Sequence, residues 1–420
     1  MIPPADPLDP PVLSGCPSTV SSVMSEGSAK VMGAPAPTDA PIGLYLHIPF
    51  CAHVCPYCDF NTYAGQSDLI PRYVSALERE IGRQGEALAG RRASTIFFGG
   101  GTPSLVPPTE IGRLVRACRE SFDLAPDVEV TLEANPNSVD AAYFAGLLDG
   151  GVNRLSLGVQ TQQRRGLRTL GRHHEASDAA AAYRAAREAG FDNVSLDLIF
   201  GWPGQSLAAW EEDLDQILAW GPAPPEHLSL YSLIVEPGTP MADAVARGIL
   251  VVPDDDATAD LYEAAIGTME RAGFIHYEVA NWARDERLQA RHNLIYWRNG
   301  EYAGLGAGAH GHIGGRRAMQ HLLPLAWVEA VERGESPVSN VEEIPPQTAM
   351  GETMMLGLRL LQQGVDEGAF AARHGVELRE RYGRIIEELV GFGLMERTGD
   401  GVRLTPRGLM VANDVCARFL

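Results

Sequence analysis

The chain has 420 residues, is 45% hydrophobic and carries a formal net charge of −20. That length suits one large domain and a smaller one. The acidic balance excludes a bulk nucleic-acid binder, which needs a basic stripe, and attachment to anionic lipid by charge alone. Lys30 is the only lysine, so the body of the chain cannot form a Schiff base or use a P-loop lysine. No apolar run reaches the roughly 18 residues of a membrane span. Six cysteines without a secretory signal point to the reducing cytoplasm, with membrane association only through a partner.

Residues 1–40 hold eight prolines and six serines and no aromatic residue. Such a segment cannot offset its ordering entropy by burial, and it is expected to be a disordered leader. It contains Cys16, to which no role is assigned. From residue 41 to about 235, six apolar segments begin near 43, 94, 128, 154, 193 and 227, with helical patterns between most of them. Leu69, Tyr73, Leu77 and Ile81 mark the first helix, and Ile111, Leu114, Val115 and Cys118 the second. Strand–helix alternation of this kind gives parallel strands with right-handed crossovers.

The strands alternate two kinds of residue. Glu129, Thr131 and Glu133 interleave with aliphatics in the third; Ser156, Gly158 and Gln160 do so in the fourth, Ser195 and Asp197 in the fifth, Ser229 and Tyr231 in the sixth. A closed eight-stranded barrel fills its interior mainly with branched apolar side chains. The expectation is therefore an α/β fold, an open partial (β/α)6 barrel whose polar inner face meets a ligand near the C-terminal strand ends.

The first strand leads into Cys51-Ala-His-Val-Cys55-Pro-Tyr-Cys58. Three thiolates so spaced can curl around one inorganic centre. A [4Fe–4S] cluster normally takes four cysteines, so three leave one iron open to an outside ligand. A zinc site completed by His47 or His53 is the alternative, although no second cysteine knuckle is present. Cys118 and Cys416 are isolated and read as ordinary core thiols. The second strand runs into Gly99-Gly-Gly101-Thr-Pro103, which lets the backbone approach a ligand closely. Gly201-Trp-Pro-Gly204 reads as a structural turn.

The cysteine spacing behind its strand resembles the signature of the radical S-adenosylmethionine (SAM) superfamily. Tyr45-Leu-His-Ile-Pro-Phe-Cys51, the glycine run, Leu157-Gly-Val-Gln160, Gly171-Arg-His173 and Asp197-Leu-Ile-Phe-Gly201 are similar to the family of oxygen-independent coproporphyrinogen III dehydrogenase (HemN) and the haem chaperone HemW. The resemblance implies a [4Fe–4S] cluster on Cys51, Cys55 and Cys58, with SAM at the open iron. By motif position it implies SAM contacts from Tyr45, Tyr57, Gly100, Gly101, Thr102, Glu133, Gln160, Arg172, Asp197 and Ser232. The dehydrogenase pattern has a fourth cysteine where this chain has Phe60, and Arg291-His-Asn-Leu-Ile-Tyr-Trp297 matches an HNxxYW motif of the HemW branch. His292 is thus a candidate haem ligand, with Tyr296 and Trp297 as flat walls for the macrocycle. The His-Asn pair can equally be a packing pair at a strand–loop junction, and His310 competes as ligand.

Residues 236–345 are expected as a connector, with additional strands and turns from His276 to Trp282 and from Tyr296 to Ala309. Residues 346–420 read as a C-terminal unit, with helices over Met350–Leu361, Asp366–His374 and Leu378–Phe392 and a hairpin turning at Thr398-Gly-Asp-Gly401. This winged-helix-like α+β pattern mixes arginines with as many acids, so a lid or docking module is expected rather than a DNA reader. What the resemblance implies is a haem chaperone passing haem to apoproteins such as respiratory cytochromes. The alternative is the enzyme that oxidatively decarboxylates coproporphyrinogen III to protoporphyrinogen IX without oxygen. Exposed helices offer surfaces for a homodimer.

Overall fold

The computed structural model describes residues 40–221 and 223–420. The leader reading of residues 1–40, apart from Ala40, and Cys16 with it, lies outside the described residues. Six strands stand where the apolar segments begin: β1 (Ile42–Ile48), β2 (Arg92–Gly100), β3 (Asp123–Ala134), β4 (Arg154–Gln160), β5 (Val194–Phe200) and β6 (His227–Ser232). They pair in sequence order, and every pairing is parallel.

Helices cover one face of these strands. In α1 (Ile70–Ala87) the residues Tyr73, Val74, Leu77 and Ile81 are buried, and in α2 (Pro108–Ser121) Ile111, Leu114, Val115 and Cys118. That spacing of three and four puts each set on one helix face. They pack onto the outward aliphatics of the strands, such as Leu44, Leu46, Ile96, Phe98, Val130 and Leu132, in one continuous core. Because side chains alternate along a strand, the polar residues between them face the other way. Tyr45 of β1 and Ser232 of β6 border the same cavity, so the parallel run curls around it.

The sheet extends beyond these six strands. At the β6 edge, β7 (Ile275–Glu278) and β8 (Asn281–Ala283) add antiparallel. The chain then forms α3 (Arg291–Trp297) and returns to the opposite edge, where β9 (Tyr302–Leu305) pairs parallel with β1. A meander of β10 (His310–Ile313), β11 (Arg316–Gln320) and β12 (Val338–Glu343) completes a 12-stranded sheet in the order β12-β11-β10-β9-β1-β2-β3-β4-β5-β6-β8-β7.

Residues Tyr296 and Trp297, expected in a strand, therefore lie on a helix. The cause is long-range. Glu129 of β3 accepts hydrogen bonds from the backbone N–H of Arg291 (3.0 Å) and His292 (3.1 Å). A carboxylate there satisfies the free donors of the first turn and suits the helix dipole.

The C-terminal region has its own apolar core, built on Met354, Phe370, Tyr382, Ile386 and Val402. Its longer helices are Pro346–Gly357, Glu367–His374 and Leu378–Gly391, and two short ones not expected from the sequence, Pro406–Leu409 and Ala412–Ala417, follow. The hairpin of Met395–Arg397 and Gly401–Leu404 is present, but it belongs to a three-stranded sheet, because Val365–Asp366 pairs with its second strand. The region is tied to the large sheet by Leu361 N–H donating to the Tyr277 carbonyl at 3.0 Å and by the Arg317–Glu352 ion pair.

Candidate functional site

The inner face of the parallel strands lines a cavity of about 790 Å³. Its rim lies at the C-terminal strand ends. There Phe50–Cys51 pairs with Tyr63–Ala64, holding the base of the cysteine loop, and Cys58 N–H closes a turn onto the Cys55 carbonyl at 3.1 Å. Cys51, Cys55 and Cys58 all border the cavity. Cys51 Sγ accepts a hydrogen bond from Thr102 Oγ1 at 3.4 Å, and the guanidinium of Arg172 stands 3.9 Å from Cys55 Sγ. Burial raises the thiol pKa of Cys51 and of Cys58.

Among the described residues, no three His, Cys, Asp or Glu side chains stand close enough together to hold one metal ion. A single zinc would need them to, with sulfurs about 2.3 Å from the metal. A four-iron cluster binds each cysteine on a different iron and spaces them wider. Of the two histidines considered for zinc, His47 is taken up by hydrogen bonds, whereas His53 borders the cavity with its Nε2 unpartnered among the described residues. His47 is buried between Tyr45 Oη and the Asn61 carbonyl, each at 2.9 Å. The ring of His53 stacks on His173, with centroids 3.6 Å apart.

The glycine loop is stitched to the cysteine loop. Gly101 N–H donates to the Ile48 carbonyl and Thr102 N–H to the Phe50 carbonyl, each at 2.8 Å. A Cβ at Gly101 would sit 2.6 Å from the Phe50 oxygen and 3.0 Å from Cys51 Sγ. Only glycine lets the two loops touch.

Polar side chains form the walls. Glu133 accepts from Gly100 N–H at 3.2 Å, and burial, then the charge of Asp197, pushes its carboxyl pKa up to about 8. Asp197 accepts from Ser156 Oγ at 2.7 and 2.9 Å and from Ser195 Oγ at 3.1 Å; burial raises its pKa while these hydroxyls oppose the rise. Gln160 ends β4 with a φ of 67°, in the left-handed region that non-glycine residues seldom occupy. Tyr57 and Ser232 border the mouth. Tyr45, Tyr57, Gly100, Gly101, Thr102, Glu133, Gln160, Arg172, Asp197 and Ser232 thus meet in one cavity with the three cysteines.

His292 does not share it. It lies 1% exposed on α3, which closes the cavity's floor at the N-terminal strand ends through Asn293 and Tyr296. One ring nitrogen is 2.7 Å from Thr95 Oγ1 and the other 2.7 Å from Tyr296 Oη. Burial, with the charge of Arg154 second, drives its pKa down to about 3, so the ring is neutral. Trp297 lies away from the cavity, packed near Tyr277, Leu294 and Leu360 under the guanidinium of Arg359. His310 is exposed on β10 and does not border the cavity. The sequence reading missed Asn135 and Arg154, which also line it. Arg154 opens β4 in register with Ser156, Gly158 and Gln160, so the period of two could have found it.

The donors present fit a polar cofactor. Buried atoms bordering the cavity lack partners among the described residues: His53 Nε2, Thr62 Oγ1, Asn135 Oδ1, Arg154 Nε and Arg172 Nε. Unpaired buried polar atoms are costly and mark where a ligand or water belongs.

Comparison with known proteins places the chain. The radical SAM superfamily matches residues 45–217, and the HemN C-terminal domain matches residues 344–411. The heme chaperone HemW of Mycobacterium tuberculosis is 40% identical over 390 residues, 92% of this chain and 96% of its own. That of Bacillus subtilis is 37% identical over 380 residues, 90% of this chain and 98% of its own. This chain belongs to the radical SAM superfamily, in its HemW branch. Radical SAM membership implies a [4Fe–4S] cluster and SAM. The coproporphyrinogen III oxidase HemN of Escherichia coli has the same fold, with a TM-score of 0.78 over 91% of each chain, at 23% identity. The HemW branch thus shares the HemN architecture, a large mostly parallel sheet with a small C-terminal domain. Among the described residues no helix is long and apolar enough to cross a membrane.

Proposed function

We propose that this protein is a haem chaperone of the HemW type, which binds a [4Fe–4S] cluster, SAM and haem and passes haem to apoproteins such as respiratory cytochromes. The observation that carries this reading is identity of 37–40% to HemW heme chaperones across about nine-tenths of the chain. Cys51, Cys55 and Cys58 hold the cluster, and when bound it offers SAM an open iron. Gly100, Gly101 and Thr102 present backbone to SAM. Glu133, Gln160, Arg172 and Asp197 take its polar groups, Tyr45 and Tyr57 flank it, and Ser232 closes the mouth. These residues line the inner face and the rim of an open partial barrel.

His292 serves as haem ligand in this reading only if its ring leaves Thr95 or Tyr296, since each nitrogen is occupied. The polar floor and the motif it belongs to support it; its burial sets the condition. Phe60, exposed at the cavity mouth where the dehydrogenase pattern has a cysteine, favours the chaperone over the enzyme.

The test is anaerobic reconstitution with iron and sulfide, followed by haem titration in absorption. The wild type should form a cluster band and bind haem saturably, and Cys55→Ala should lose the band. His292→Gln, which can still bridge the two hydroxyls, should weaken haem binding. Retained affinity in that variant moves the ligand elsewhere. Conversion of coproporphyrinogen III under anoxia at a catalytic rate would overturn the chaperone reading.

A further inference from the structure

Two arginines are fully or almost fully withdrawn from water, and they are satisfied in opposite ways. Arg187 shows what a structural buried arginine looks like. Its guanidinium meets Glu226 at 2.7 Å, Tyr183 Oη at 2.6 Å and the carbonyls of Phe191 and Pro224. Arg154 is 2% exposed. Its Nε has no hydrogen-bond partner among the described residues, and no carboxylate among them lies within the 4.0 Å of an ion pair. Asp197, which feels the charge of Arg154, already accepts three bonds from the hydroxyls of Ser156 and Ser195. Glu129, two residues before the register partner of Arg154 on β3, is spent on the first turn of α3.

A guanidinium keeps its charge in proteins. Burying that charge without an ion-pair partner is costly, so such a residue marks where an anion belongs. The side chain also points into the cavity rather than into the core. It is the first inward residue of β4, and it borders the same space as Asn293 and Tyr296 of the floor helix. Gln160 stands six residues further up the same strand, so rim and floor are separated by about 20 Å of strand. SAM held at the cysteine rim does not need this arginine.

We infer that Arg154 is a carboxylate-binding residue at the floor of the cavity, placed to take a propionate of the tetrapyrrole while the rim holds the cluster and SAM. The inference rests on the haem reading above. The planar fork of an arginine matches both oxygens of a carboxylate. A monoanion also suits the local charge better than a phosphate, because Asp197 stands close enough to feel Arg154 and would repel a second negative charge.

The test compares iron protoporphyrin IX with its dimethyl ester, which removes the carboxylates and leaves the macrocycle and iron unchanged. Titrations are run on the cluster-loaded wild type, Arg154→Gln and Arg154→Lys. The wild type should bind the free acid about ten-fold or more tightly than the ester, the range of a charge-assisted hydrogen bond. Arg154→Gln should bring the free acid down to the ester and leave the ester unchanged. Arg154→Lys, which keeps the charge, should retain part of the preference, and it carries the test should the glutamine variant not fold. Equal affinities in the wild type, or equal losses for both forms in Arg154→Gln, overturn the assignment and leave the chaperone reading standing. A wild type that binds neither form overturns the chaperone reading and the assignment with it.

Discussion

The two ends of the cavity are built on different principles. At the rim, the cysteine and glycine loops touch through backbone bonds, while side-chain atoms such as Arg172 Nε and Thr62 Oγ1 have no partner among the described residues. At the floor, both nitrogens of His292 are bonded, Glu129 caps α3, and Phe97 stacks on the imidazole with centroids 5.0 Å apart. The rim keeps bonding capacity in reserve, and the floor has spent its own on structure except at Arg154, whose Nε has no partner among the described residues. A ligand should therefore change the rim's stability far more than its apo residues do, whereas floor residues should matter to the fold before any ligand arrives.

Truncation tests that contrast most strongly. His292→Ala removes a fully packed ring and orphans the hydroxyls of Thr95 and Tyr296. It should destabilise the apoprotein by about 3 kcal/mol, whereas Cys58→Ala, half-exposed on the rim, should cost under about 1 kcal/mol. Denaturant melts of both apoproteins check this, and equal losses would erase the distinction between the two ends.

Glu133 sharpens it through pH. Its folded pKa of about 8 lies above the unfolded value near 4.5. Between these values the folded state keeps a proton that the unfolded state has released, so this group's contribution to stability falls as pH rises through the window. Glu133→Gln should be indifferent. The stability of the variant minus that of the wild type should therefore grow from pH 5 to pH 8, by up to a few kcal/mol on this linkage. Histidines such as His292 titrate in both proteins and cancel in the difference. A difference flat with pH would mean that the carboxyl is already paired in the apo cavity.

The smallest effect is at the floor's inner edge. Tyr296→Phe deletes one hydrogen bond to His292 and should cost about 1 kcal/mol, read in the same melts. A neutral result would mean that His292 is held by Thr95 alone and is freer to turn than its two bonds suggest.

Legibility from sequence followed the range of the interactions. The rim could be read because its determinants are local: three cysteines in eight residues, a glycine run at a strand end, inward residues two apart. The six parallel strands were legible for the same reason. The floor was not. Ile295, Tyr296 and Trp297 are residues that favour strands, and α3 has only seven residues. What makes it a helix is Glu129, more than 160 positions earlier in the chain. Arg154 was legible by the same period of two, as the inward residue before Ser156, Gly158 and Gln160, and was passed over at the strand's first position. The two-residue strand Val365–Asp366 is too short to leave any periodic trace.

The return of β9 to the edge beside β1 has a consequence for how the molecule is made. Gly43 is in register with Tyr302, so the first strand waits for one synthesised some 260 residues later. On a translating ribosome the thiols of the rim emerge long before the helix that seals the other end of the cavity. Contacts of such long sequence separation are slow to form. Closing the sheet edge and seating the floor helix both wait on the same late-made segment, residues 291–305.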